Sequence, residues 1–246
     1  MKWFSKEELA HDRMPYSDPR FSSVVVGIIH YTGGKTMASD LRYLRQVDKD
    51  PNLSASYNAL VGNGQAVELL NPKKFRAWHA GKSSIKHGGG MLTGLNAHSV
   101  GVAVSNAGWQ DKQSPVHSVQ APMPGTTDLK WWQPYEDEDI VKLCDVCFHY
   151  EKELKTVLPW VGHQDVSPLR KFDPGPLFPW GSFHRRMLVL RRGLLPVEDN
   201  LVTVIDDLSE VYTTVKDTQV GRMGMELGRK VESALAYSVF MSQVGG

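Results

Sequence analysis

Two histidines and one aspartate of this chain have the residue types and the placement that a catalytic zinc site requires. Such a site needs about three protein ligands, usually histidine or carboxylate, and one position left open for water. His30 ends the apolar run VVVGIIH, and His163 opens the run HQDVSPLRKFDPGP, in which Asp173 follows ten residues later. A loop that contains Pro168 can return over that distance and bring both side chains to one ion. The spacing leaves two other interpretations open, because no dense His-x-x-x-His motif is present: His30 as an ordinary buried polar residue, and the run around Asp173 as a simple turn.

A lysine next to the aspartate adds a positive charge to this group. Lys171 lies two positions before Asp173. Residues two positions apart in an extended segment project to the same side, so the Lys171 ammonium group would lie beside the metal. A fixed cation at that place can stabilise a developing oxyanion. We therefore predict a catalytic role for Lys171.

The segments that must position these residues predict an α/β fold. The apolar run at 24–30 is short and mostly β-branched, which favours a buried strand with His30 at the edge of a sheet. Strands and helices interleave along the chain, which predicts a central mixed β-sheet flanked by helices. The other predicted elements are a helix at 36–46, a β-hairpin at 56–70 around the turn Asn63-Gly64, a buried strand at 99–105, a loop at 110–130 and an amphipathic helix at 136–155.

Composition and charge argue against several classes of partner. The chain has 246 residues with 28 Lys and Arg against 27 Asp and Glu, and a net charge of +1 gives no support for a nucleic-acid partner. The only two cysteines, Cys144 and Cys147, cannot form a disulfide framework, and we expect them to be small core residues. No run approaches the roughly 20 apolar residues of a membrane span, so we expect no membrane insertion. The acidic residues of the N-terminal segment do not suit a signal peptide, so we expect the protein to be cytoplasmic at synthesis.

Five blocks of sequence carry a resemblance to a known family. They are VVVGIIHYTGG (24–34), SASYNALVGNGQAVELL (54–70), RAWHAGKSS (76–84), GLNAHSVGVAV (94–104) and VGHQDVSPLRKFDPGPLFPW (161–180). In this order and spacing they resemble the zinc-dependent N-acetylmuramoyl-L-alanine amidases of type 2, which include phage lysozyme-type amidases and peptidoglycan-recognition proteins. The resemblance runs from about residue 22 to about residue 183. It implies a central mixed sheet flanked by helices, with zinc at the floor of a groove.

The resemblance also implies an activity and a set of site residues. His30, His163 and Asp173 would be the ligands of a Zn²⁺ cofactor. The reaction would be hydrolysis of the amide bond between the lactyl group of N-acetylmuramic acid and L-alanine, with Lys171 stabilising the oxyanion. Bacterial peptidoglycan would be the partner, and we expect a monomer.

Four further residues of the resembling blocks are candidates for the site. Tyr57 occupies the place of a tyrosine in the phage enzymes, where its phenol would act on the water or the substrate carbonyl; a buried strand tyrosine is the alternative. Trp78 and His79 would form the wall of the groove, and Trp78 could instead pack in the core. Asn96 would bind the stem peptide.

One residue departs from the pattern of many bacterial members of the family. They carry a glutamate where this chain has Ala103. The departure puts their proton-transfer route in doubt and favours the phage-type arrangement, in which Tyr57 and Lys171 flank the metal. It also leaves room for a non-catalytic peptidoglycan-binding protein, but the presence of all three metal ligands favours an enzyme.

We predict three parts of the chain and a role in cell lysis. The parts are an N-terminal arm at 1–21, a zinc amidase domain at 22–190 and a small β-rich module at 191–246, which could be an SH3-like wall-binding module or a tail packed on the first domain. Lytic amidases often carry such a module, so we favour a bacteriolytic phage endolysin or a wall-degrading effector. A cytoplasmic wall-recycling amidase is the alternative.

Overall fold

The structure is a computed structural model that describes residues 17–46, 55–113 and 117–192. Most of the predicted arm and nearly all of the predicted C-terminal module therefore lie outside the described residues. The strands in these ranges are β1 (Ser17–Pro19), β2 (Val26–Tyr31), β3 (Ala59–Gly62), β4 (Gln65–Glu68), β5 (Phe75–Ala77), β6 (Ser84–His87), β7 (Gly90–Thr93), β8 (Ser99–Val104), β9 (Trp109–Gln110), β10 (Val119–Pro122), β11 (Leu129–Trp132) and β12 (Trp160–Gly162). The helices are α1 (Met37–Gln46), α2 (Asp137–Leu154), α3 (His163–Val166) and α4 (Trp180–Arg192), with a short 3-10 turn at Leu95–Ala97.

A five-stranded mixed sheet forms the centre of the molecule, as the sequence predicted. Its strand order is β12-β2-β8-β3-β4. The pairs β12–β2, β2–β8 and β8–β3 are parallel, and only β3–β4 is antiparallel. Because parallel strands end at the same edge of a sheet, the residues at the ends of β2 and β12 lie close together.

The two faces of the sheet are covered by different elements. On one face, α2 and α4 pack over apolar side chains of β3 and β8, and Cys144 and Cys147 lie in this core as free thiols, as predicted. Burial raises the pKa of both thiols, which keeps them protonated. The opposite face carries Val26 and Ile28 of β2 beside Leu95, and α1 packs near Leu60 and Ala103. None of the described helices combines the length and the apolar character that crossing a bilayer requires.

The hairpin and most of the predicted elements are confirmed. β3 and β4 are joined by Asn63-Gly64, and both residues have positive φ angles of 53° and 64°, which a tight hairpin turn needs. The strand predicted at 24–30 begins two residues later as β2, and the helices predicted at 36–46 and 136–155 are α1 and α2.

The segment 110–130 differs from its prediction, and one helix crosses the predicted domain boundary. The segment 110–130, predicted to be a loop, contains β10 and the start of β11, and β11 pairs with β10 on one side and with β9 on the other. Backbone pairing and the buried Trp132 hold this small sheet, so it leaves little apolar periodicity in the sequence. The predicted domain boundary at 190/191 falls inside α4, which continues to Arg192 and packs on α2.

Candidate metal centre

The two predicted histidine ligands lie side by side because their strands are parallel neighbours. His30 is the fifth residue of β2, and His163 follows β12 directly as the first residue of α3. Gly162 pairs with Ile29, so the next residue of each strand reaches the same level of the sheet edge. The two imidazole ring centroids are 4.6 Å apart.

Asp173 reaches the histidines because the loop after α3 folds back on that helix. The Gln164 N–H donates to the Asp173 carbonyl at 2.9 Å, and the Gln164 side-chain oxygen accepts from Gly175 N–H at 3.2 Å. The loop thus folds back as the sequence analysis required for His163 and Asp173 to approach one ion. The carboxylate oxygen Oδ2 of Asp173 lies 2.7 Å from His30 Nδ1 and 3.1 Å from His163 Nδ1.

The proton on His163 is placed by a backbone carbonyl. Nε2 of His163 lies 3.1 Å from the Ala80 oxygen, which can only accept, so Nε2 is the N–H donor. A neutral imidazole carries one proton, and the lone pair of His163 Nδ1 therefore faces the Asp173 carboxylate. Nε2 of His30 is likewise engaged, at 2.9 Å from His79 Nδ1.

Electrostatics favour the forms that bind metals. Burial and the neighbouring His163 lower the pKa of His30 from 6.5 to about 4, against the opposing effect of Asp173. Burial acts to raise the pKa of Asp173, but hydrogen bonds from His163 and His30, in the states in which these rings carry a proton on Nδ1, outweigh that effect and hold the pKa below its ordinary value. At neutral pH the cluster therefore presents a neutral imidazole and a carboxylate, which are the forms that ligate a metal.

The donor chemistry of this cluster fits a divalent cation. His30, His163 and Asp173 are each less than a tenth exposed, and one ligand atom from each lies within 4.8 Å of the other two. Lone pairs that converge without a proton between them repel each other, and a cation removes that repulsion. Two nitrogens and one carboxylate oxygen are a donor set that zinc takes in hydrolases.

Two of the predicted groove residues lie elsewhere. His79 was expected on the wall of the groove, but it is 6% exposed and its ring nitrogens contact His30 and Ser99. Asn96 was expected to bind substrate, but its side-chain oxygen accepts the backbone N–H groups of His79 and Ala80 at 3.1 and 2.7 Å. Both residues therefore support the cluster of His30, His163 and Asp173 from behind.

The structure places the other three predicted site residues, Tyr57, Lys171 and Trp78, as follows, and their roles stay predictions. The Tyr57 ring centroid lies 5.2 Å from that of His30, and burial, with the nearby Asp173 charge, raises the pKa of the phenol. Lys171 is partly buried, and its positive charge is the smallest of the influences that act on the pKa of His30. Trp78 is 37% exposed, and its indole N–H donates to Asp18 at 2.7 Å, which excludes a core position.

Ala103 stands directly beside His30. The two residues are register partners in the parallel pair β2–β8, so their side chains lie on the same face of the sheet. A glutamate at this position would adjoin the cluster of His30, His163 and Asp173. Ala103 instead packs fully buried with Leu60, so this chain has no carboxylate there.

Two residues that support the cluster, Ser167 and Arg170, were not indicated by any sequence pattern. Arg170 donates to the carbonyls of Ala80 and Lys82, and Ser167 donates to Lys82 as well. These bonds join the loop that carries Asp173 to the segment that holds His163. They link positions more than 80 residues apart, which no local pattern reveals.

Comparison with known proteins identifies relatives of this chain. Residues 20–176 match the family model described as N-acetylmuramoyl-L-alanine amidase. The N-acetylmuramoyl-L-alanine amidase AmiD of Escherichia coli is 30% identical over 184 residues, which are 71% of this chain and 57% of that protein. The 1,6-anhydro-N-acetylmuramyl-L-alanine amidase AmpD of Enterobacter cloacae is 28% identical over 54% of this chain and 57% of that protein. The chain thus spans a little over half the length of these curated relatives.

A solved structure shares the fold. It is the Escherichia coli amidase AmiD in complex with the substrate anhydro-N-acetylmuramic acid-L-Ala-D-gamma-Glu-L-Lys. The two structures superpose with a TM-score of 0.50 at 28% identity, covering 66% of this chain and 57% of the other. The mixed sheet and its helices are therefore those of a type 2 amidase.

Proposed function

Because this chain belongs to the N-acetylmuramoyl-L-alanine amidase family, we propose that it is a zinc-dependent enzyme that hydrolyses the amide bond between N-acetylmuramic acid and L-alanine in peptidoglycan. The convergence of His30, His163 and Asp173 on one point carries the proposal. The named activity of both curated relatives supports it, as does the muropeptide bound to AmiD.

The three clustered residues would hold the zinc ion through His30 Nδ1, His163 Nδ1 and the Asp173 carboxylate. When bound, zinc acidifies a water molecule and polarises the scissile carbonyl. The protein contributes a buried setting, since His30 is 1% and His163 3% exposed. It also contributes rigidity, because each ligand is fixed by a strand, a helix or a doubly bonded loop.

Lys171 and Tyr57 would act on the reacting carbonyl and on the attacking water. The Lys171 ammonium would stabilise the negative charge that develops on the carbonyl oxygen. The raised pKa of Tyr57 keeps its hydroxyl protonated, so the phenol would donate a hydrogen bond near His30. With Ala103 in place of an acid, these two residues are the groups proposed for the roles that a glutamate takes in other members.

The stem peptide would lie in an open depression of about 660 Å³, part of whose lining comes from the segment between His163 and Asp173. Its lining includes Lys82 and Arg170, together with Ser83 and Thr93. Two cationic side chains suit a peptide that carries free carboxylates. Trp78, which is partly exposed, would offer a flat apolar surface to the sugar or to the peptide.

For the biological role, we keep lysis, by a phage endolysin or a wall-degrading effector, as the leading proposal. A wall-recycling amidase would act instead on soluble anhydro-muropeptides, and a non-catalytic binder would retain peptidoglycan without cleaving it. The segment on which the lytic role depends, 193–246, lies outside the described residues. A comparison of substrates can therefore distinguish these three roles, which the fold alone does not.

The test compares two substrates with purified full-length protein. Intact sacculi and soluble anhydro-muropeptide are each incubated with zinc or with a chelator, and free L-alanine amino termini are quantified. We expect zinc-dependent release, with sacculi cleaved at least as fast as the soluble fragment if the role is lytic. Strong preference for the soluble fragment would support recycling. Binding to sacculi without release from either substrate would exclude the enzyme, and His163→Ala serves as the inactive control.

A further inference from the structure

A third histidine lies directly behind the metal cluster and touches it. His79 Nδ1 is 2.9 Å from His30 Nε2, and the two rings meet edge to face with their centroids 5.0 Å apart. The other nitrogen of His79 lies 3.0 Å from the Ser99 hydroxyl oxygen. His79 is 6% exposed, so its ring is engaged on both sides by the protein.

The direction of the hydrogen bonds in this chain is fixed at its far end. The Ser99 hydroxyl lies 2.5 Å from the Leu95 carbonyl, which can only accept, so the hydroxyl proton points to Leu95. The Ser99 oxygen is then the acceptor for His79 Nε2–H. His79 Nδ1 consequently carries a lone pair, which accepts a hydrogen bond from His30 Nε2–H. The remaining nitrogen of His30, Nδ1, is left bare and faces Asp173.

The backbone beneath the ring is shaped for this contact. Gly101 of β8 lies under His79, and a Cβ at position 101 would come 2.5 Å from the His79 Cγ and Nδ1 atoms. Any larger residue would push the ring away from His30.

The same short segment also orients the second ligand. The carbonyl oxygen of Ala80, the residue after His79, accepts a hydrogen bond from His163 Nε2–H. Asn96 holds the backbone N–H groups of both residues of this segment. Positions 79 and 80 therefore determine which nitrogen of each ligand histidine is free.

We propose that His79 is a positioning residue that sets the His30 tautomer, so that Nδ1 rather than Nε2 is available to the metal. This inference rests on the proposed zinc site. It assigns to His79 a task that a carboxylate or a carbonyl performs for most metal-bound histidines. Loss of such a partner typically weakens metal binding by about 10–100-fold.

The test measures zinc affinity by competition with a chelator, without reference to turnover. His79→Leu removes the acceptor, and we expect about 10–100-fold weaker zinc binding. His79→Asn keeps an acceptor oxygen near the position of Nδ1, and we expect it to restore most of the affinity. Gly101→Ala should weaken binding in the same direction as His79→Leu. His87→Leu, at an exposed position of β6, is the matched control and should bind as the wild type does.

A spectroscopic readout separates positioning from general damage to the fold. Long-range proton–nitrogen NMR spectra of the zinc-free protein report which nitrogen of His30 is protonated. We expect Nε2–H in the wild type and in His79→Asn, and a shift to Nδ1–H, donated to Asp173, in His79→Leu. Equal zinc affinity in wild type and His79→Leu, or equal losses in His79→Leu and His79→Asn, would overturn the proposal. Failure of the zinc site itself would show differently, as a wild-type protein that binds no zinc.

Discussion

Two buried carboxylates in this molecule have opposite surroundings. Glu151 of α2, 3% exposed, receives two contacts from the Arg191 guanidinium, the Trp160 indole N–H at 2.9 Å and the Leu158 N–H at 3.2 Å. Asp173, 8% exposed, is met by the Nδ1 atoms of two histidines. The first carboxylate is surrounded by donors, whereas the second is surrounded by acceptors.

The difference separates a structural charge from a functional one. A buried charge is tolerated when the protein supplies its counter-charge and hydrogen bonds, as the protein does for Glu151. The Asp173 cluster has those partners only when a cation joins it. Buried polar groups whose lone pairs converge are thus the sign of a ligand site, and burial alone is not.

Carboxylate-to-amide substitutions at the two places give the sharpest contrast. In Asp173→Asn, zinc affinity should fall by more than the roughly 100-fold that loss of an outer hydrogen-bond partner costs, and amidase activity should fall to background. The zinc-free variant should unfold within about 1 kcal/mol of the wild type, because the amide N–H can donate to a histidine lone pair. Chelator competition and urea unfolding measure the two quantities. Zinc affinity of Asp173→Asn equal to that of the wild type would contradict the proposed difference between the two carboxylates.

The partner substitution, Glu151→Gln, should behave in the reverse way. It leaves Arg191 without its counter-charge, so we expect a loss of about 3–5 kcal/mol in the free energy of unfolding. Zinc affinity per folded molecule should stay at the wild-type value, since Glu151 lies under α4 on the other face of the sheet. Urea unfolding with and without zinc tests this; a drop in zinc affinity as large as that of Asp173→Asn would contradict it.

Lys171→Ala tests a charge that acts on the reaction and not on the metal. We expect kcat to fall by about 10²–10³-fold, the usual cost of removing an oxyanion donor, with zinc still bound. Lys112→Ala, on an exposed loop, is the charge-matched control. Turnover of Lys171→Ala at the wild-type rate would remove Lys171 from the mechanism.

The smallest expected effect is a pH dependence of the free energy of unfolding, which arises from the buried histidines His30 and His79. The folded pKa of His30 is about 4 against 6.5 in the unfolded chain. Between these values the unfolded state binds a proton that the folded state does not, so stability falls as pH falls from about 6.5 to about 4. For one histidine the loss is on the order of 3 kcal/mol, and His79 adds to it in the same direction.

Urea unfolding of chelator-treated protein across this range measures the slope. The slope should become shallower in His30→Leu and should be unchanged in His87→Leu. An equally steep slope in His30→Leu would show that other groups cause it.

The part of the site that could be predicted from sequence is the part that local patterns encode. β2, the hairpin around Asn63-Gly64 and α2 follow from apolar runs, turn chemistry and helix periodicity. His30, His163 and Asp173 follow from their flanking blocks. The role of His79 could not be found in this way, because it depends on the register of β8 beneath it and on a contact across 49 positions. β10 was missed for a related reason, since backbone pairing holds it.

Metal titration of the dialysed protein tests the central claim most directly. Zinc is removed with a chelator, added back in steps, and metal content and amidase activity on sacculi are measured at each step. We expect activity to be absent without metal and to rise with zinc until one ion is bound per chain, with Asp173→Asn remaining inactive throughout. Full activity in protein that contains no metal would contradict the account.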